Sequence, residues 1–237
     1  MSNSEEVSRR KIAQLMEERN ILASLEHPFI VKLFYFFQDS DRLYFAMSLA
    51  ESGDFFSVIT KENNGNGVDF HAARFYAAEI ALALDYIHQK QIIYRDLKPE
   101  NIMLCGDGHI MLADFGLSKS FKSASRRRLS LAVGTPAYFA PELVMSEQYS
   151  KSVDWWAYGV VVFELLCGKE PFKGQNIEET TKNVVSKTPK LPSSVAKNLI
   201  ASNSKVRRAG IERSESSEQR AASSEQRAAS SEQRAAS

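Results

Sequence analysis

The chain has 237 residues, 43% of them hydrophobic and 25% charged, the proportions of an ordinary globular domain rather than of a fibrous or low-complexity chain. A formal net charge of +1 gives no electrostatic reason to expect nucleic acid or an anionic membrane as partner. Cys105 and Cys167 have no CxxC neighbour, and no Cys/His group has zinc spacing, so reduced thiols in a cytosolic core are expected. Met1 to Arg10 is polar, with no apolar stretch of the kind a secretory signal needs. The run Trp155–Cys167, broken by Gly159 and Glu164, is too short to span a bilayer. The expectation is a soluble protein of the cytoplasm or nucleus.

In chain order, Ile12, Leu15, Met16, Ile21 and Leu22 recur at helical spacing and predict a helix over the first 20 or so residues. His27-Pro28 ends it, because the residue before proline disfavours the helical region. Ile30–Phe37 and Leu43–Leu49 read as strands joined by the turn Gln38-Asp39-Ser40-Asp41, an antiparallel hairpin. Asp54–Thr60 reads as a short helix. Phe70–Gln89 reads as a long one with an apolar face of Phe75, Ala78, Leu82, Leu84 and Ile87. Short strands follow at Ile92-Ile93, Ile102–Leu104 and Ile110–Leu112, the last two joined by Gly106-Asp107-Gly108. Ser118–Arg128 has no periodicity and reads as a loop. Trp155–Cys167 is expected to be a buried helix, and beyond Gly174 the helical signals weaken.

Ser217–Ser237 repeats Ser-Ser-Glu-Gln-Arg-Ala-Ala three times with shifted ends. A seven-residue period suggests a coiled coil, but paired alanines are the only apolar residues, and Glu and Arg two apart do not face each other on a helix. A disordered tail is expected.

The chemistry concentrates in Tyr94-Arg95-Asp96-Leu97-Lys98-Pro99-Glu100-Asn101. Phosphoryl transfer needs a carboxylate to orient a hydroxyl, a cation for the migrating group and an oxygen ligand for magnesium. Asp96, Lys98 and Asn101 supply all three. Asp114-Phe115-Gly116 follows directly after the strand Ile110–Leu112, and a carboxylate there can bind a second face of the metal. Ala140-Pro141-Glu142 closes the loop. Each triplet alone is weak, since Asp-Phe-Gly is often a turn and Ala-Pro-Glu a helix start. In this order and spacing they match the protein-kinase signature set.

Tyr-Arg-Asp at residues 94–96, the run Gly134-Thr135-Pro136-Ala137-Tyr138-Phe139-Ala140-Pro141-Glu142 and Val153-Asp154-Trp155-Trp156 resemble the AGC group of serine/threonine protein kinases, over roughly residues 10–210. The resemblance implies an α+β, bilobal protein-kinase-like fold with an incomplete small β-lobe at 1–49, a mainly helical large lobe at 50–210 and a repeat tail at 211–237. It implies ATP and Mg2+ as cofactors. Asp96 would be the catalytic base, Lys98 would stabilise the transferred phosphoryl group, and Asn101 and Asp114 would bind magnesium. Thr135 would bridge to Asp96 and Lys98. Met47, Leu49, Ala50, Asp54, Met103 and Glu18 fall at nucleotide-site positions, Met47 as gatekeeper and Ser48-Leu49-Ala50 as the hinge that holds adenine. Read from the residues alone, Glu18 is a surface charge beside Glu17 and Arg19. Leu22, Leu33, Tyr94 and Phe115 match the family's regulatory spine and are equally plain core residues. Glu142 would pair with Arg208, and Asp154 would anchor the catalytic loop. Asp54, Glu100 and Glu164 match acids that contact arginines before the acceptor, implying protein substrates with Arg-Arg-x-Ser/Thr-like sites. Arg127-Arg128-Leu129-Ser130 is such a sequence within the chain, and Ser130 is a phosphosite candidate whose phosphate would pair with Arg95. It lies one residue out of the family's register, where Leu131 stands.

Two family features have no match here. No Gly-rich phosphate loop precedes the catalytic segment, since Gly65-Asn66-Gly67 lies between helices, and no strand carrying an ATP-contacting lysine precedes Glu18, since Lys11 lies in the helix itself. The segment after Phe172 is also short relative to the family. An incomplete kinase, a kinase-like scaffold without catalysis, and a lobe completed by a regulatory partner are the three resulting readings. A further one makes the tail's Arg-Ala-Ala-Ser units phosphoacceptors.

Overall fold

Helix α1 spans Asn3–Ser24; among its described side chains the buried ones are Ile21 and Leu22 in the final turns, followed by Leu25 beyond its end. The structure, a computed structural model, describes residues 3–59, 67–120, 134–193 and 195–197. The chain divides at Lys190/Leu191 into two units, and every element named below lies in the first. The repeat tail lies outside the described residues.

After Pro28 the chain runs into the hairpin β1 (Leu33–Gln38) and β2 (Leu43–Met47), antiparallel as expected. Its turn is built by Asp39, whose carboxylate accepts from the amides of Asp41 at 2.8 Å and Arg42 at 2.7 Å and from the Tyr44 hydroxyl at 2.7 Å. Cross-strand ring pairs, Phe36–Phe45 at 5.0 Å and Phe37–Tyr44 at 4.9 Å, fix the register. The expected strand Ile30–Phe37 starts later than its apolar run. Ile30 and Val31 are drawn into the core, where Val31 N–H donates to Leu112 O at 3.0 Å and Leu112 N–H to Phe29 O at 2.9 Å. Three aromatic side chains of β1, Phe34, Tyr35 and Phe37, stand exposed.

The helical region begins with α2 (Phe55–Ser57), shorter than expected because Asp54 is its N-cap and accepts from Ser57 N–H at 2.9 Å; Thr60 lies outside the described residues. Helix α3 (Phe70–Gln89) has the expected bounds. Asp69 caps it, accepting from His71 and Ala72 amides at 3.1 Å each. Its buried face is not the expected one. Leu84 and Ile87 are buried, but Phe75, Ala78 and Leu82 are exposed, and the core side is Ala73, Ala77, Ile80 and Ala83. Small alanines let α3 approach α5 closely, so residue size, not hydrophobicity, marks the packed face.

Three two-stranded antiparallel ladders complete the frame. Strands β4 (Ile102–Leu104) and β5 (Ile110–Leu112) form a hairpin. Strand β3 (Ile92–Ile93) pairs with β6 (Lys119–Ser120), which sits at the start of the segment expected to be loop. The rest of that loop, including Ser130, lies outside the described residues.

Short α4 (Pro141–Val144) leads to α5 (Ser152–Cys167), a turn of which precedes the expected start. Gly168 ends α5 in the left-handed region at φ 67°, its N–H closing onto Glu164 O at 2.7 Å. Against expectation a further helix, α6 (Ile177–Ser186), follows. Asn176 caps it, accepting from Glu179 N–H at 2.8 Å; this cap is the start signal that weak apolar periodicity hides. The main core gathers Phe55, Ile59, Ile80, Leu84, Ile87, Val161 and Leu165. Truncating any one, such as Leu84→Ala, would cost about 2–5 kcal/mol. Among the described residues no helix is long and apolar enough to cross a membrane.

Candidate active site

Strand β3 delivers the chain into a loop whose backbone is pinned from α5. Asp154 is fully buried, and its carboxylate accepts from Tyr94 N–H at 2.9 Å, from Arg95 N–H at 2.8 Å and lies 2.7 Å from His88 Nε2. A buried carboxylate is stable only when its lone pairs are met, and here loop amides meet them. Arg95 is left-handed at φ 68°. Its guanidinium donates to Leu117 O at 2.6 Å and to the Tyr149 hydroxyl at 3.2 Å.

This pinned turn presents Asp96. One carboxylate oxygen lies 2.9 Å from Lys98 Nζ and accepts from Asn101 Nδ2 at 2.9 Å, while Asn101 Nδ2 also donates to the Asp96 carbonyl at 2.8 Å. The short turn Pro99–Asn101 carries Asn101 into β4. The hairpin then brings in Asp114, because Ala113 N–H donates to Asn101 O at 2.9 Å. Asp114 is also left-handed, at φ 53°, and exposed, with one oxygen accepting from Gly116 N–H at 3.1 Å. Its remaining oxygen and the Asn101 side-chain carbonyl are hard donors of the kind magnesium takes, one or two from protein and the rest from phosphates and water. The donor set fits magnesium.

Phe115 and Tyr94 lock this floor into the core, rings 5.1 Å apart, with the Tyr94 hydroxyl donating to Ala113 O. Leu22 packs in the same cluster and Leu33 against it. Thr135 lines a small cleft with Arg95, Asp96 and Tyr138, while the hydrogen-bond partners of the Asp96 carboxylate are Lys98 and Asn101. Gly134, at φ 119°, keeps the cleft open: a Cβ there would meet the Phe139 ring at 3.0 Å and Asp96 Oδ1 at 3.4 Å.

Met47, Leu49 and Ala50, the residues expected at the gatekeeper and hinge positions, end β2 and the strip beyond it, Leu49 being 80% exposed. Asp54 bridges Met103 across the sheet edge. Glu18 is half-buried rather than a solvated surface charge. Burial raises its pKa first, and the carboxylate of Asp114 raises it further. Glu142 accepts from the Ser152 hydroxyl at 3.1 Å; Arg208 lies outside the described residues.

Of the acids expected to contact substrate arginines, Glu100 is exposed and Glu164 is buried. Glu164 accepts a hydrogen bond from Tyr138 Oη at 2.6 Å. Its pKa is raised to about 7, chiefly by desolvation and also by Glu170 and Glu100, with the Tyr138 hydrogen bond and Lys173 acting against them. Sequence reasoning missed Tyr138 and Glu170 here. Tyr138 lay within a quoted motif, but nothing in its spacing signals a partner 26 residues away. Among the described residues no group of three or more His, Cys, Asp or Glu side chains could hold a metal on its own.

The protein kinase domain family profile matches residues 1–228, and the chain belongs to that family. It is 42% identical over 187 residues to cAMP-dependent protein kinase type 3 of Saccharomyces cerevisiae, covering 78% of this chain and 45% of the relative. It is 48% identical over 163 residues to ribosomal protein S6 kinase alpha-1 of Homo sapiens, covering 69% and 22%. A cAMP-dependent protein kinase catalytic subunit-like protein of Caenorhabditis elegans is 40% identical over 197 residues, covering 82% and 48%. These relatives are AGC kinases, and the α+β architecture is the kinase fold. The chain spans less than half the length of each relative.

Proposed function

We propose that the site transfers the γ-phosphate of ATP to serine or threonine hydroxyls in basic sequence contexts. The observation that carries this reading is the Asp96 carboxylate held 2.9 Å from both Lys98 Nζ and Asn101 Nδ2. Asp96 accepts the acceptor hydroxyl's hydrogen bond and orients its oxygen. Lys98 sets a cation beside the path of the phosphoryl group. Asn101 and Asp114 hold magnesium, which when bound neutralises charge on the phosphate oxygens. Most of the rate comes from this positioning and electrostatics rather than from covalent chemistry by the protein. Met47, Leu49, Ala50, Met103, Asp54 and Glu18 face the nucleotide, and Asp54, Glu100 and Glu164 take the arginines of Arg-Arg-x-Ser/Thr-like substrates. Thr135 selects the hydroxyl acceptor.

The working division is a partial small lobe at 1–49 and a large lobe at 50–210, acting in the cytoplasm. The exposed aromatics of β1, with Tyr35 72% exposed, favour a regulatory partner that covers the partial lobe. Transfer from Mg-ATP to an Arg-Arg-x-Ser peptide tests the reading, with Asp96→Asn and Asp114→Asn as controls. Transfer abolished by both supports it. A folded chain that neither transfers phosphate nor binds Mg-ATP sinks it and leaves a kinase-like scaffold.

A further inference from the structure

The carboxylates of Glu18 and Asp114 both border Gly116, where an added Cβ would lie 3.1 Å from Asp114 Oδ1 and 3.5 Å from Glu18 Oε2. Two carboxylates of the same sign therefore stand together where α1 meets the metal-binding loop. That alone pushes α1 away from Asp114. Ile21 and Leu22 hold the end of α1 in the core, while the face that carries Ala13, Met16, Glu17 and Asn20 opens on a cleft of about 750 Å3.

Among the described residues, two polar contacts tie α1 to the segment after Asp114. Gln14 Nε2 donates to Gly116 O at 2.8 Å, and Lys119 Nζ donates to Glu17 Oε2 at 2.6 Å. Both side chains of the ion pair are about 70% buried, being 29% and 30% exposed, so the pair is less screened than a surface bridge. Its place in the chain matters more. Lys119 sits on β6 directly opposite Ile93, which precedes Tyr94-Arg95-Asp96, and lies three residues past Gly116.

We propose that Glu17–Lys119 is a positioning latch, seating α1 on the backbone that carries both Asp114 and Asp96. Lys119 links Glu17 through β6 to both loops. Neither residue touches the reacting atoms. The inference rests on the proposed function for its catalytic meaning, but the latch itself is a property of the fold.

The full chain carrying Glu17→Lys, Lys119→Glu or both substitutions tests it. Hydrogen exchange at the Gly116 and Ser118 amides is measured without nucleotide; affinities for Mg-ATP and for metal-free adenosine are then measured as magnesium is varied. Each single reversal is expected to speed exchange and weaken Mg-ATP binding about three- to tenfold, the range of a pair worth near 1 kcal/mol. Adenosine affinity stays constant, which a general loss of structure would not allow. The double reversal restores both readouts. Unchanged exchange in the singles, or a folded double variant no better than they are, overturns the latch. If a single reversal does not fold, Glu17→Gln and Lys119→Met carry the same exchange comparison. A wild-type chain that binds no Mg-ATP refutes the proposed function, while exchange still decides the latch.

Discussion

The Asp154 carboxylate on α5 receives the amide of Arg95 at 2.8 Å, so the backbone immediately before Asp96 hangs from a helix 59 residues away in sequence. Replacing Asp154 by alanine leaves that amide, the Tyr94 amide and His88 Nε2 without their acceptor in a buried space. The expected loss is about 3–5 kcal/mol, or a fall in melting temperature of roughly 10 °C. Differential scanning calorimetry checks it; a drop under a few degrees would mean water replaces the carboxylate.

Asp114 predicts the opposite pattern. Its side chain is exposed, so Asp114→Asn should leave stability within about 0.5 kcal/mol while magnesium-dependent nucleotide binding is lost. Asparagine is chosen because it tolerates the left-handed backbone. With the charge gone, the Glu18 pKa falls toward its ordinary range, which carboxyl-region NMR titration reads directly.

If the buried Glu164 takes a substrate arginine as proposed, peptide recognition should be pH-dependent. With a pKa of about 7, it is half-protonated near neutrality and gains its charge as pH rises. KM for an arginine-containing peptide should fall between pH 6 and 8 with kcat little changed. Tyr138→Phe removes the hydrogen bond that stabilises the charged form, and should move this transition to higher pH. Glu164→Gln should flatten it. A wild-type KM that is level across the range would separate Glu164 from substrate binding.

Stability should decline with pH through the same carboxylate. Its folded pKa lies above the unfolded value, so the folded state binds the extra proton; the benefit is full below about 4.5 and gone above about 7. His109 adds to the trend. Its ring lies 2.5 Å from the buried Glu79, whose hydrogen bond and charge raise the histidine pKa. That contribution is present below 6.5 and disappears as pH climbs through the folded value. Urea midpoints at pH 6 and 8.5 should differ in that order, and His109→Ala should narrow the gap.

The candidate phosphoryl-transfer residues stand out in the sequence because they crowd into short segments of fixed spacing. Asp96, Lys98 and Asn101 lie within six residues, and one loop geometry explains all three. The hairpin β1–β2 and the bounds of α3 were legible from turn residues and period. The buried face of α3 was not, since Ala73 and Ala77 carry too little side chain to advertise themselves while exposed Phe75 and Leu82 carry a great deal. Glu79 on that helix is buried because Ile110 N–H and His109 meet its oxygens, a partnership 30 residues away that periodicity cannot carry. Strand β6 was missed because two polar residues hold no pattern; only pairing with Ile92-Ile93 makes them a strand. The Glu17–Lys119 contact was hidden for a similar reason, each residue alone looking like an ordinary solvated charge.

Arg95 and Asp114 each hold a left-handed backbone, at φ 68° and 53°, where a side chain costs roughly 1 kcal/mol against glycine. At Arg95 the guanidinium's hydrogen bonds to Leu117 O and the Tyr149 hydroxyl offset that cost, whereas the exposed Asp114 makes one hydrogen bond, to the Gly116 amide. A variant library ranked by heat resistance alone would favour glycine at Asp114, and its best-scoring members would be the ones that had lost the proposed metal ligand.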